Sequence, residues 1–484
     1  MKKLFNISFS LIGLMILLVG CDSFLGGDTN TDPYRATPDL IKLDALLPTV
    51  IKESGDNHYR IAYSTSQIAQ HTASYFASGA DIHEITRINS AWTGIYLRAL
   101  TNADQMVKLA EENGSPHYAG VAQVLMALNL GMATDLWENI PFDEAFKGPE
   151  ILKPAYQAQE EIYNRVNSLL DAAIPNLQAA TSVFSPSDDD LIYKGDLSKW
   201  EKVAYALKAR YAIHLANKGD SYATMALTEL ENAIDGIEND FELIYNSRNL
   251  NPWHSQVGLP IKTGNYTITH SAQFIKCLNG DYYTVVDPRL PIIADKGGND
   301  NYSGMINGSG SGSTTNLTVD TWYASSEAPI MMVTYAEMKF IEAEAAFLAN
   351  GGTTTSVGAP QQAYEAYLEG ITAHMQKLGV EEAEVNAYLA DPNVAVGAAN
   401  LTLELIMKEK YIALFLHPEA WIDVRRYNYN PDVFHSMTLP ENHNPDLNGN
   451  FLQRASYPFD ELSRNSGEVD KNTKEIGSRM WRDQ

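Results

Sequence analysis

Residues 118–136 read YAGVAQVLMALNLGMATDL, and the spacing inside this stretch sets the fold class. Val121, Val124, Leu125, Leu128 and Met132 recur at three- and four-residue intervals, the period of one face of an α-helix. The same period continues on either side. Upstream, 91–110 carries Trp92, Ile95, Tyr96, Ala99 and Ala103. Downstream, 160–177 sets Ile162, Val166, Leu169, Ala173 and Leu177 against Glu161, Arg165 and Asp171. A further pair, 199–217 and 222–237, breaks at Gly219-Asp220, and helical periodicity returns at 335–348, 361–378 and 401–427. The last of these offers Glu404 to Lys408 at i,i+4 and Asp423 to Arg426 at i,i+3. Helix hairpins of about 35–45 residues cannot bury their apolar faces alone and must stack, as in tetratricopeptide-like arrays. An all-α superhelix of helix pairs is therefore expected.

Between the helical blocks, residues 241–329 lose this period. Gly, Asn, Ser, Thr and Tyr take over, and rings are scattered at Tyr245, Trp253, Tyr266, Tyr282, Tyr283, Tyr302, Trp322 and Tyr323. A long irregular insertion in a helical scaffold is where binding loops are expected.

The N-terminus has its own logic. Lys2 and Lys3 precede an apolar run from Leu11 to Val19, which is short for a membrane span and right for a secretory signal. Leu18-Val19-Gly20-Cys21 closes it. Residues 22–40, with Gly26-Gly27, Asp32-Pro33 and Thr37-Pro38, read as an extended tether and a turn. Without residues 1–20 the chain has 33 basic and 60 acidic side chains, a formal charge of −27. That balance argues against nucleic acid and against a polybasic membrane contact. Only two cysteines occur, Cys21 and Cys277, so no disulfide framework is expected if Cys21 is modified, and Cys277 reads as a small buried apolar residue.

Several separated motifs resemble one family. Pro329–Glu337, PIMMVTYAE, running on to Ala343-Glu344-Ala345, is similar to a P-x-M-T-Y-A-E-x-x-F-x-x-A-E-A helix. Glu409–Phe415 and Glu419–Arg426 resemble K-Y-x-A-x-F followed by E-A-W-x-D-x-R-R. Thr134–Ala145 matches T-D-x-Y/W-G-x-x-P-Y-x-E-A, with Glu138 where glycine is usual. Asp190–Tyr193, Gly195–Leu197, Lys199-Trp200, Leu207-Lys208 with Arg210, and Tyr457-Pro458 with Glu461 complete the set, and Lys194 replaces a second glycine. The two departures fall at turns. Together these look like the SusD/RagB-type nutrient-binding outer-membrane lipoproteins of Bacteroidetes.

The resemblance implies a signal peptide over 1–20, a lipid on Cys21, a tether over 21–40, and one α-helical domain over 41–484 built on about four tetratricopeptide-like pairs. It also implies ligand-binding loops about 241–329 and a cell-surface outer-membrane location. The implied partner is a SusC-like TonB-dependent transporter, and the implied cargo an oligosaccharide, with a peptide or another nutrient as alternatives. Asp22, directly after the cysteine, is the residue that marks inner-membrane retention in enteric bacteria, so the leaflet stays open at this point.

For a sugar, flat rings must meet the C–H faces of pyranoses while planar polar groups meet hydroxyls. A ring offers ~150–250 Å². Covering half of it contributes about 2–3 kcal/mol gross, against an association cost of at least ~4 kcal/mol. Two or three rings are needed. The candidates are Tyr75, Phe76, Trp253, Tyr283, Tyr302, Trp322 and Tyr323, with Asn251, Asn301 and Asp320 as hydroxyl partners. Trp92, Trp137, Trp200 and Trp421 read as core, and Arg425-Arg426 as scaffold ion-paired with Asp423 and Glu419.

Enzyme signatures are sparse. No H-E-x-x-H, G-x-S-x-G or cysteine pair at metal spacing occurs. Asn307–Ser313 has the glycines of a phosphate loop but lacks the following Lys-Ser/Thr, and reads as a loop tip. Asp188–Asp190 clusters oxygens of the kind Ca²⁺ takes, without further support for an ion, and no cofactor is expected. An anchored glycan hydrolase built on paired acids such as Glu381-Glu382 has no positive support.

Overall fold

Helices dominate the computed structural model, which describes residues 42–219, 221–313 and 315–484. The signal segment, Cys21 and the tether lie outside the described residues. Leu46–Gln484 forms one compact unit, and Met1–Ala45 a separate one described only over 42–45.

The central element is the helix Pro116–Trp137, in which every residue from Tyr118 onward is buried. It is long and apolar enough to cross a membrane, but the whole of that window is covered by protein, so it is a core helix. Gln159–Leu177 and Thr101–Asn113 pack on it from its neighbours in sequence. Gly120 allows the first approach, since a Cβ there would lie 2.7 Å from Leu177 Cγ. Further pairs are Leu197–His214 with Ser221–Leu230 and Tyr335–Ala349 with Gln361–Leu378, and Tyr335–Ala349 also packs on Leu403–Ala413. Asp196, Thr334 and Thr402 cap three of these helices through side-chain oxygens that accept from Ser198 N, Glu337 N and Leu405 N. The expected all-α superhelix of helix pairs is what the chain builds.

Several expected boundaries shift for physical reasons. The single helix over 401–427 is two, Leu403–Ala413 and Glu419–Arg426. Leu416 takes φ +58° between them, and Pro418, which has no N–H to donate within a helix, stands at the start of the second. The helix over 222–237 stops at Leu230. The 91–110 helix contains a wide π-helical turn, Gly94–Leu100, before Thr101–Asn113. In Gln159–Leu177 the core side chain is Leu170, and Leu169 is only half-buried. A 26-residue helix, Leu43–Ile68, lies upstream of all of these. Within 241–329 the chain makes short elements, among them Ala272–Leu278 and the strands Phe241–Leu243 and Ile268–His270, which pair antiparallel with Ile330–Val333 and Thr72–Ser74.

Trp92, Trp137, Trp200 and Trp421 are buried as core, and Cys277 is a buried free thiol that burial pushes up to about 12.

Charge is buried alongside the apolar core. The Glu344 carboxylate meets Arg426 at 2.7 Å and Lys410 at 3.0 Å, and Asp423 meets the same two cations at 2.6 and 3.0 Å. Burial works to raise the Glu344 carboxyl, but Arg426 and then Lys410 outweigh it and hold it at about 2. Arg210 grips Glu337 with two hydrogen bonds of 2.6 Å. Lys408 does not reach Glu404; it turns to Glu409 at 2.6 Å and to the Tyr388 hydroxyl at 2.7 Å. Asp423 and Arg426 do pair as the spacing predicts. Arg425 differs from its neighbour: it donates to the carbonyls of Gln453 and Asp135 and lies 3.9 Å from the Trp421 ring centre.

Both positions where this chain departs from the family glycines keep the left-handed backbone glycine favours, Glu138 at φ +70° and Lys194 at φ +54°. At Glu138 the departure reaches beyond the turn. Its buried carboxylate pairs with Arg454 and with Lys474 at 2.9 Å, and accepts from Trp481 N at 2.7 Å, tying the C-terminal segment to the central helix.

Glu344→Gln removes one member of a buried array and leaves Lys410 and Arg426 sharing Asp423. The expected loss is about 3–5 kcal/mol of unfolding free energy, read by denaturant titration. A loss below ~1 kcal/mol would show that the array adds little.

Candidate ligand-binding site

The ribbon that joins the helical scaffold to the insertion places the first rings. Thr72 pairs with His270 and Ser74 with Ile268, and the pairing continues as Tyr75 N donates to Thr267 O at 3.0 Å. This register sets Tyr75 beside Tyr266, with ring centres 5.2 Å apart and planes tilted 54°. The Tyr75 hydroxyl donates to Asn316 Oδ1 at 2.8 Å, which holds its ring. Phe76 follows in sequence, 68% exposed, and Tyr266, in ring contact with the held Tyr75, is 45% exposed, so two large rings near this ribbon face water. This exposed aromatic group is the shelf of the candidate site.

A loop borders the shelf. Met305 N donates to His270 O and Ala272 N to Met305 O, which ties residues 303–316 to the ribbon. Asn307 Nδ2 donates to Thr72 O and to Asp81 Oδ1 at 2.8 Å, and Gly308 N donates to Asp81 Oδ2 at 2.7 Å. Burial pushes the Asp81 carboxyl up to about 6 even though it accepts from Gly308 and Asn307. Gly308 has φ +81°, and a Cβ there would overlap the Glu441 carbonyl. The base of the expected loop tip is therefore pinned, and the remainder, 309–313, stands against Tyr75 through Gly310.

On the other side of this loop lie two adjoining hollows of about 280 and 300 Å³ that share Ala272, Lys276 and Ile306. Tyr302, Asn279 and Ser311 line the first, and Gln70, Gln273 and Tyr282 the second. Lys276 Nζ lies 5.6 Å from the Tyr282 ring centre, and Lys296 Nζ 5.8 Å from that of Tyr302. The two hollows thus combine amide and hydroxyl groups, half-exposed rings and a short wall of glycines and serines, along the same loop whose Gly310 lies against Tyr75.

Of the residues singled out from sequence, Tyr75, Phe76 and Tyr302 fall on this face, with Asn301 exposed beside Tyr302. Three others are interior. Trp253 is 2% exposed and packs edge-on to Tyr59 at 4.8 Å. Asn251 is fully buried, donating to Ala328 O and accepting from Trp253 N. Tyr323 is buried, its hydroxyl 3.1 Å from His374 Nε2. None of these three presents a surface to a ligand, because each is a strut under the loops. Tyr283 is half-buried below Lys408, whose Nζ lies 5.0 Å from its ring centre. Trp322 is half-buried on the edge of Tyr323, and Asp320 is exposed next to it. Tyr266 belongs on the face and was not among the candidates. Its signal was the strand-like run Tyr266–His270, which extends the pairing to the Tyr75 backbone.

The acidic cluster at 188–190 is occupied by protein donors. Asp190 accepts from Gly195 N, Ile192 N, Tyr193 N and Trp200 Nε1, and Asp189 from Tyr118 Oη and Ser187 N. Asp135, His214 and Glu419 also converge, with His214 Nε2 2.7 Å from Glu419. Arg482 pairs with Asp135, and Arg210 lies 3.9 Å from Glu419, so guanidinium charge already stands beside both carboxylates.

Comparison with known proteins identifies the family and the fold. Residues 36–458 match the SusD-like family described as "Starch-binding associating with outer membrane". The chain belongs to this SusD-like family. A SusD/RagB family protein from Bacteroides thetaiotaomicron is similar in structure, with TM-score 0.73 and 22% identity over 92% of this chain and 99% of that one. A chitin-binding SusD homolog from Flavobacterium johnsoniae has TM-score 0.73 and 19% identity over 91% and 98%. A SusD homolog from Bacteroides uniformis has TM-score 0.70 and 20% identity over 91% and 99%. At these identities the likeness establishes the fold. A search of curated protein sequences finds no match.

Gly308→Ala forces a side chain into a left-handed turn and onto Glu441. The expected cost is at least ~1–2 kcal/mol, with faster amide exchange over 303–316 than in the parent protein. Unchanged exchange there would mean that the loop base is not held as described.

Proposed function

We propose that this protein is a cell-surface lipoprotein that captures an oligosaccharide and hands it to a SusC-like TonB-dependent transporter in the outer membrane. The observation that carries this reading is the exposed aromatic group of Phe76 and Tyr266 around Tyr75, with amide-lined hollows along the 303–316 loop that packs on the Tyr75 backbone. Rings stack on sugar C–H faces, and Asn279, Gln70 and Gln273 supply planar donors and acceptors for hydroxyls. Two exposed rings roughly balance the association cost and leave a modest net affinity. Such an affinity suits a protein that must release its cargo.

The family description, with its outer-membrane association, supports the location. The Leu18–Cys21 segment supports anchoring through Cys21, with residues 1–20 removed and the rest acting as one tethered unit. Several acyl chains would hold the protein durably at the bilayer. The role is binding and delivery; no residue is assigned to catalysis. The Flavobacterium johnsoniae relative, a chitin-binding homolog, places chito-oligosaccharides first among the sugars to test.

Isothermal titration of the chain against a panel of oligosaccharides, including chito-oligosaccharides, tests the reading. At least one should bind, and Phe76→Ala and Tyr266→Ala should each weaken it about tenfold, near 1.4 kcal/mol, without lowering the melting temperature. Binding to peptides and to no glycan would overturn the sugar assignment.

A further inference from the structure

A short strap late in the chain is seated in the core. Met480, Arg482 and Asp483 are buried, although the segment has no more regular structure than one tight turn, Trp481–Asp483. Side chains of the scaffold hold it by its backbone. Trp481 N donates to Glu138 at 2.7 Å and Arg482 N to Gln159 Oε1 at 3.0 Å. Lys218 Nζ donates to Trp481 O at 2.8 Å and lies 4.4 Å from the Trp481 ring centre. Arg454 donates to the carbonyls of Ser478 and Arg479.

Arg482 reaches deepest. Its guanidinium pairs with Asp135 on the central helix, donates to the Tyr163 hydroxyl at 3.2 Å, and pairs through Nε with Asp483 at 3.0 Å. Asp135 and Glu419 stand on either side of one imidazole: His214 Nε2 lies 2.7 Å from Glu419, and Nδ1 3.6 Å from Asp135. A histidine between two carboxylates ordinarily favours its protonated form. Burial is the first influence that holds His214 well below its ordinary value. Asp135 works against burial, Arg482 and then Arg426 work with it, and Asp423 opposes. The remaining charges nearby are Arg210, 3.9 Å from Glu419 and itself paired with Glu337, and Arg425, which donates to the Asp135 carbonyl. The Tyr163 and Tyr211 rings complete the surround.

The seat of the strap is incompletely satisfied. Asp135 Oδ2, Asp483 Oδ2, Arg482 Nη2 and Arg425 Nε are buried and meet no protein hydrogen-bond partner. Each such group carries a desolvation cost that contact with water removes, which favours lifting of the segment.

We propose that residues 479–483 form a proton-sensitive strap, in which Arg482 seated on Asp135 and a proton on His214 are alternative ways to neutralise the same pair of carboxylates. Seated, Arg482 leaves the imidazole neutral. Lifted, it takes Asp483 with it, and Asp135 is left with Tyr163 and His214 as its side-chain contacts. His214 then takes up the proton. The closed form stays neutral at His214 while the open form titrates at or above the usual ~6.5. Closure is therefore strongest above that range and weakens as pH falls through it. Lys474–Ser478, directly upstream, line the hollow of about 480 Å³, so the strap lifts at its wall.

Hydrogen–deuterium exchange of the full chain at about pH 6 and about pH 8, normalised to a free peptide of the sequence 478–484, tests the strap. Opening should be about four- to tenfold more frequent at the lower pH, with the helix Pro116–Trp137 protected at both. His214→Gln, which cannot titrate, should bring that ratio to about one; should this variant not fold, the ratio in the parent protein decides. A ratio near one in the parent, strap amides that exchange only as fast as those of the central helix, or an unchanged ratio in the His214→Gln protein would each overturn the proposal.

Discussion

Buried opposite charges hold this molecule in register. Glu344 and Asp423 each face both Arg426 and Lys410, and Arg210 clasps Glu337. Through these contacts the helices Leu197–His214, Tyr335–Ala349, Leu403–Ala413 and Glu419–Arg426 are keyed to one another. A buried ion pair is poor evidence of stability by itself, because desolvation offsets most of the Coulomb gain. What it supplies is orientation, since any slip of one helix against the next leaves a charge unpaired in the core. The insertion is fixed by the same means. Arg289, from the loop-rich segment, pairs at once with Asp287 beside it and with Glu409 on the scaffold, and reaches His374 at 3.1 Å. The loops of the insertion are thus tied to a rigid base at a fully buried guanidinium.

That dependence explains which parts of the fold were legible. Helical periodicity located the scaffold because stacking helices must bury one face at 3.6-residue spacing. Asp423 and Arg426 read as ion-paired scaffold in sequence and pair in the structure, whereas Arg425 donates to carbonyls and Glu419 faces Arg210 and His214 instead. The errors fall where local chemistry overrides period. Pro418 splits one expected helix into two, and Leu170 rather than Leu169 faces the core. Glu138 and Lys194 looked like exchanges at turns. Both retain a left-handed backbone, and Glu138 offsets its strain with a buried pairing to Arg454 and Lys474.

The binding face was much less legible. Aromatic residues in an irregular segment carry no periodicity to say which way they point. Trp253 and Tyr323 are struts, whereas Phe76 and Tyr266 are exposed, and all four sit among similar neighbours in the sequence. The deciding information is a strand pairing between residues almost two hundred positions apart, which brings Tyr75 to Tyr266. No local reading contains it.

The account's central claim is that a charge-keyed helical scaffold presents one glycan-binding face made by the 72–76 ribbon, Tyr266 and the 303–316 loop. Hydrogen–deuterium exchange of the whole chain, with and without a saturating oligosaccharide identified by titration, tests it most directly. The account predicts protection confined to residues 72–76, 266–279 and 303–316, with the helix pairs unchanged. Protection centred elsewhere, for instance on the hollow lined by 446–457 and 469–478, with none at the ribbon and loop, would contradict it.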